Sequence, residues 1–257
     1  MAPGEERIAM RTERLVRYLT CAAVAVLVLL TAGTAHSAPL ILNGGFESGF
    51  ASWNRADQLG SEGTFFLQTG TSSPVNLVQV PAPSQGVQAA MSDAQGPGSH
   101  VLYQDFVVPA DAAAGTLSFQ LFIGNRAGMF VTPNTLDFST PTLNQQARVD
   151  ILRAGTDPFS LLPADVLLNV YRTNPGNPAI SGYNTIVTDL SALLAANAGN
   201  MLRLRFAETD NVFTFQLGVD AVSLETSQIP EPVTGLLIGT GLAGLAARSR
   251  CRQGSRG

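Results

Sequence analysis

Residues 38–228 of this 257-residue chain predict an all-β sandwich carrying one short helix, and three observations predict it. Short runs of alternating apolar and polar residues recur along this stretch, each closed by Gly, Pro or Asn, as strands separated by tight turns require. A helical period appears once only, in SALLAANA at 191–198. The two cysteines, Cys21 and Cys251, both lie outside the stretch, so it cannot be a disulfide scaffold or a cysteine-ligated zinc module.

The chain before the sandwich reads as an export signal. Residues 1–17 carry Arg7, Arg11, Arg14 and Arg17, and an apolar run of 12 residues follows at 19–30 (LTCAAVAVLVLL). Small residues then surround Ala35 and Ser37, ahead of Pro39. This order of basic, apolar and small-residue regions is that of a signal peptide spanning 1–37, and a run this short falls below the ~17–25 residues that cross a bilayer. Cleavage is expected after Ser37. Cys21 stands at the start of the apolar run and not after it, which argues against a lipoprotein.

Within 38–228 the expected strands are 100–108 (HVLYQDFVV), 116–123 (TLSFQLFI), 147–153 (ARVDILR), 166–172 (VLLNVYR), 185–189, 201–207 (MLRLRFA), 213–217 and 219–225. Alternation places every second side chain on one face, so each of these can bury a stripe against a second sheet. The helical stretch 191–198 has Asp189 or Ser191 to cap its start and Gly199 to stop it. Residues 124–146 hold no strand pattern and read as a long surface loop, a favoured place for functional residues.

The C-terminal segment 229–257 repeats the export logic in reverse. Pro230-Glu231-Pro232 precedes a short Gly- and Leu-rich apolar run at 233–247, and Arg248, Arg250 and Arg252 follow. Such a helix would enter the membrane transiently, with its arginines on the cytoplasmic side. The three features in this order resemble the PEP-CTERM sorting signal. That resemblance implies an exosortase as processing partner, Pro230, Glu231 and Pro232 as the sorting motif, a bacterium that makes exopolysaccharide, and a product delivered to the surface, matrix or biofilm.

Two further segments resemble galactose-binding-like jelly rolls. Asn43-Gly44-Gly45-Phe46-Glu47, followed by Trp53, is similar to their opening, and Gly218-Val219-Asp220-Ala221-Val222-Ser223-Leu224 to their closing strand. The resemblance implies a jelly-roll β-sandwich in which the two motifs meet. It also implies a structural Ca2+ at their junction, held by Glu47, Asp220 and the Asn43 region, because two neighbouring carboxylates repel unless a proton or cation intervenes.

The remaining inventory is mostly exclusion. Lysine is absent, and from 38 to 232 seven arginines face 16 acidic residues. So acidic a body argues against nucleic acid, whose phosphates need a basic surface. No glycine-rich loop opens a helix to cradle phosphate. His100 is the single histidine after the signal segment, so a catalytic triad has only one candidate base and no catalytic residue is assigned. Asp105, Asp150, Glu208 and Asp210 are the carboxylates in or near strands from which a glycosidase pair would have to come. The sequence thus points to an exported, non-catalytic surface or matrix protein associated with exopolysaccharide. The alternatives are a carbohydrate-binding module for the cell's own polysaccharide and, third, a glycoside hydrolase. A sugar-binding face would need open aromatic rings, for which the supply is Trp53, Tyr103, Tyr171 and Tyr183.

Overall fold

The computed structural model describes residues 39–228 except Thr140; the expected signal segment and sorting tail lie outside the described residues. Two antiparallel five-stranded sheets face each other. The first, sheet A, runs β1 (Asn54–Asp57), β4 (Gly98–Val107), β9 (Met201–Asp210), β6 (Gln145–Arg153) and β7 (Val166–Arg172). The second, sheet B, runs β2 (Thr64–Gln68), β3 (Ala89–Asp93), β10 (Phe215–Gln228), β5 (Ala112–Asn125) and β8 (Asn184–Asp189). The all-β sandwich with one short helix is therefore what the described residues form.

Period-two alternation explains the core. On β4, Leu102 and Phe106 turn inward, and on β9 Leu202, Leu204 and Phe206 do; sheet B answers with Leu117, Phe119 and Leu121 of β5 and Leu217 and Val219 of β10. Phe119 and Phe206 meet between the sheets edge to face, with ring centres 5.2 Å apart. Each such side chain contributes about 1.5–3 kcal/mol by leaving water. Trp53 belongs to this core, 6% exposed, with its indole N–H donating to the Asn43 carbonyl at 3.1 Å. It plugs one side of the sandwich and is closed to a ligand.

Helix α1 (Ser191–Ala196) buries Leu194 and is shorter than the expected 191–198. Asp189 precedes it and accepts the Ser191 N–H at 2.8 Å, and Gly199, at φ +77°, ends the turns that follow.

Three sequence expectations change. The strands expected at 213–217 and 219–225 are one, β10, running straight through Gly218. That glycine marks a close approach and not a turn, since a Cβ there would lie 2.7 Å from the Tyr183 hydroxyl. The opening motif at 43–47 is a tight turn instead of a strand, with Asn43 and Phe46 in the left-handed region. It does meet the closing motif: β10 bulges between Asp220 and Ser223, and the freed Val222 N–H donates to the Gly44 carbonyl at 2.9 Å. The approach is so close that a Cβ on Gly44 would stand 1.8 Å from the Val222 oxygen, which explains the glycine. Lastly, the segment between β5 and β6 has no strand, as expected, but it is pinned. It buries Phe130 and Leu136, pairs Val131 with Gln145, and sets Leu136 over Val101 and Ala207 on the outer face of sheet A.

Candidate functional site

The structure brings the expected calcium residues to one neighbourhood but gives each a protein partner. Asp220 is fully buried; its Oδ2 accepts the Ser84 hydroxyl at 2.9 Å and the Gln85 N–H at 2.8 Å, and its Oδ1 accepts the Ala221 N–H. Glu47 Oε1 accepts the Val87 and Gln88 N–H groups at 2.9 and 3.0 Å. The Asn43 side chain accepts the Ser48 N–H and donates to the Gly49 and Ala51 carbonyls. One loop, 84–88, thus aims N–H groups at both carboxylates. These donors supply positive partial charge to both carboxylates. Among the described residues no three His, Cys, Asp or Glu side chains are placed to hold a metal ion.

The four candidate carboxylates divide into two kinds. Asp105 is gripped by Arg203 through two hydrogen bonds of 2.6 and 3.0 Å. Asp150, fully buried on the outer face of sheet A, accepts from both Arg148 and Arg205. Burial opposes its ionisation, but the hydrogen bonds from Arg148 and the fields of Arg205 and Arg148 hold its carboxyl below the usual range. Both are structural pairs.

Glu208 and Asp210 differ. Phe206 faces inward, so the period of two turns 208 and 210 inward as well, into one end of the core. Glu208 stands directly across from His100 of β4, and Asp210 across from Gly98. The His100 Nδ1–H donates to Asp57 at 2.7 Å, because a carboxylate can only accept. His100 Nε2 and Glu208 Oε1 are buried with no hydrogen-bond partner. Burial, then the charge of Asp210, push the Glu208 carboxyl well above the ordinary value. Burial likewise raises Asp210 to about 7, against the Gly98 N–H and the field of His100. His100 is 1% exposed, inside this acidic group.

Of the expected aromatic platforms, Trp53 is core, Tyr183 is half-buried and donates to Gln68, and Tyr103 lies beneath the Arg203 guanidinium at 4.0 Å. Tyr171 lines a cavity. Edge strands β7 and β8 do not pair with each other, and between them opens a cleft of about 290 Å³. Leu121, Ile123 and Ile186 line it on the sheet B side, Tyr171 on the sheet A side, and Asn177, Ser181 and Asn184 at the mouth. No lining residue is charged. Burial raises the Tyr171 phenol above its ordinary pKa. Asn177 Oδ1 accepts the Asn174 N–H, which turns its Nδ2 to other partners, and Asn184 Nδ2 donates to the Gly182 carbonyl, which does the same for its Oδ1. The cleft is thus lined by an aromatic ring, aliphatic side chains and two side-chain amides.

No family model and no curated protein matches the chain. Solved structures with a similar fold include TmCBM61 in complex with beta-1,4-galactotriose, at 10% identity and TM-score 0.44, covering 74% of this chain and 100% of that one. Another is the K3 cleaved adhesin domain of Lys-gingipain from Porphyromonas gingivalis, at 14% identity and TM-score 0.44, covering 73% and 97%. A third is an apo form cyclase from Fischerella sp., at 16% identity and TM-score 0.44, covering 74% and 97%. Their names span a sugar-bound module, an adhesin domain and a cyclase, so function is read from the side chains of this chain.

Proposed function

We propose that this chain is an exported surface or matrix protein whose sandwich binds a neutral saccharide of the cell's own exopolysaccharide in the cleft between β7 and β8. The observation that carries the reading is the Tyr171 cleft. A pyranose presents an apolar face to a ring and hydroxyls to fixed donors and acceptors, and an uncharged cleft with one ring and two outward amides meets both needs. Tyr171, Leu121, Ile123, Asn184 and Ile186 stand on strands, which hold these groups in place before a ligand arrives. The test is a binding isotherm of the full-length protein with the polysaccharide of its own cell. Tyr171→Ala is expected to weaken binding roughly tenfold or more, since tenfold corresponds to about 1.4 kcal/mol. The exposed Asn184→Ala is expected to weaken it without lowering the melting temperature. Undiminished binding in both variants would overturn the reading.

Export is the second half of the proposal, and it rests on residues 1–37 and on Pro230-Glu231-Pro232 with the apolar run and arginines after it. An exosortase would remove this tail. The intact mass of released protein is expected to lack residues 233–257, and a released species that retains them would sink the sorting claim.

A further inference from the structure

The Tyr171 cleft is graded from wet to dry. At its mouth Asn177, Pro178 and Asn184 are exposed, and further in Tyr171, Ser181 and Ile186 are half-buried. At the bottom Leu121 and Ile123 are 2% and 4% exposed, so the floor of the cleft is the core of the sandwich itself. At about 290 Å³ it stands at the small end of ligand pockets, with room for one sugar ring and not for a long acyl chain.

The floor has no hydrogen bond to offer. The side chains of Leu121 and Ile123 are hydrocarbon, and the backbone that carries them is already engaged. Leu121 pairs with Val219 of β10 on one side and with Asn184 of β8 on the other. The Ile123 N–H donates to the Ser181 hydroxyl at 3.1 Å, and the Ile123 carbonyl accepts the Ser181 N–H at 2.9 Å. The serine hydroxyl in turn donates to the Gly182 carbonyl at 2.7 Å, so it is bound within the wall. A sugar hydroxyl lowered onto this floor gives up water and finds no partner, whereas a methyl group gains by leaving water.

We propose, on the saccharide reading above, that the cleft selects a neutral 6-deoxyhexose, its methyl group resting on Leu121 and Ile123 and its 2- and 3-hydroxyls at Asn177 and Asn184. In a pyranose the 6-substituent and the 2- and 3-hydroxyls lie at opposite ends of the ring, which matches a cleft that is apolar below and polar above. The ring face then lies along Tyr171. An ordinary hexose brings a hydroxyl to the floor in place of a hydrogen. An N-acetyl sugar that lowers its methyl group there carries an amide down with it.

Two matched pairs of methyl glycosides test this on the full-length protein: methyl α-L-rhamnoside against methyl α-L-mannoside, and methyl α-L-fucoside against methyl α-L-galactoside. Each pair differs by one oxygen. The deoxy member of at least one pair is expected to bind roughly tenfold tighter in an NMR titration, the factor that an unpartnered hydroxyl costs. In saturation-transfer spectra its 6-methyl protons are expected to take the largest share of saturation. Ile186→Thr sets a hydroxyl beside the floor and is expected to narrow the preference severalfold, with the melting temperature reporting whether the fold is kept. If that variant does not fold, the matched pairs and the saturation pattern of the parent protein decide. Equal binding within both pairs, tighter binding of the hydroxylated members, binding of none of the four, or saturation centred on the 2- and 3-protons would overturn the proposal. Polysaccharide binding that Tyr171→Ala weakens, without discrimination in either pair, removes the 6-deoxy assignment and leaves the saccharide site standing. Polysaccharide binding that Tyr171→Ala and Asn184→Ala leave undiminished removes both.

Discussion

Asp150→Ala is expected to destabilise the protein by about 3–5 kcal/mol, the usual cost of orphaning a buried charge partner. Asp150 is the single acceptor between two guanidiniums. Arg148 reaches both of its oxygens at 2.7 Å, and Arg205 reaches Oδ2 at 2.5 Å while donating its other nitrogen to the Pro158 and Ser160 carbonyls. Arg205 and Asp150 are both fully buried beneath the connection from β6 to β7. Removal of the carboxylate leaves two like charges facing each other without water. The network also ties that connection to the outer face of sheet A, so its loss frees a covering loop. Replacing all three by apolar residues of similar size is expected to cost less than the single change, because it removes the charges along with their partner. Denaturant unfolding of the two variants checks this; a cost below about 1 kcal/mol for Asp150→Ala would place the pair in the class of solvent-screened surface bridges.

The second large effect is a loss of stability on going from mildly acidic to neutral pH. Asp210 is raised from 3.8 to about 7 chiefly by burial, and Glu208 is raised in the same direction by burial and by Asp210. The folded protein therefore keeps protons that the unfolded chain releases. The stability these protons confer is complete below the unfolded pKa near 4 and is lost as pH rises through the folded value near 7. A shift of about three units corresponds to about 4 kcal/mol, shared within this coupled pair. Asp93 and Asp150 act with the opposite sign, since both are held below the ordinary value; their contribution is lost only as pH falls below about 4. The melting temperature should therefore peak between about pH 4 and 6. Glu208→Gln and Asp210→Asn are expected to flatten the fall above that range and to raise the melting temperature at pH 8. A melting temperature that climbs steadily from pH 4 to 8, or an unchanged slope in both variants, would contradict the buried-acid account.

These two effects arise from residues that look alike in the chain. Asp105, Asp150, Glu208 and Asp210 all lie in alternating strands, and the sequence supplies no reason to treat them differently. The face of each was legible, because strand geometry is local: inward Leu202, Leu204 and Phe206 carry the same phase on to 208 and 210. The long strands β4 to β9 were legible for the same reason, and β7 was read to both of its ends. Strands β1, β2 and β3 were not. They are four or five residues long, and β3, AAMSD, shows no alternation because loop residues around Val80 cover its outer face and bury both sides. Tyr171 could be named as a candidate ring but not chosen over Trp53, since their fates depend on which edge of the sandwich stays open. By itself, then, the sequence determined the β-class of the fold, the phase of its strands and its small inventory of histidines and cysteines, all of which follow from local periodicity or residue type, while the meeting of the opening and closing motifs was implied by their resemblance to a jelly roll. Only the tertiary structure decided that Asp150 meets a second arginine while Glu208 and Asp210 meet His100. The period of two places Arg148 beside Asp150 and Glu208 beside Asp210, but Arg205 reaches Asp150 across 55 positions and His100 faces Glu208 from another strand, and no local period encodes either encounter.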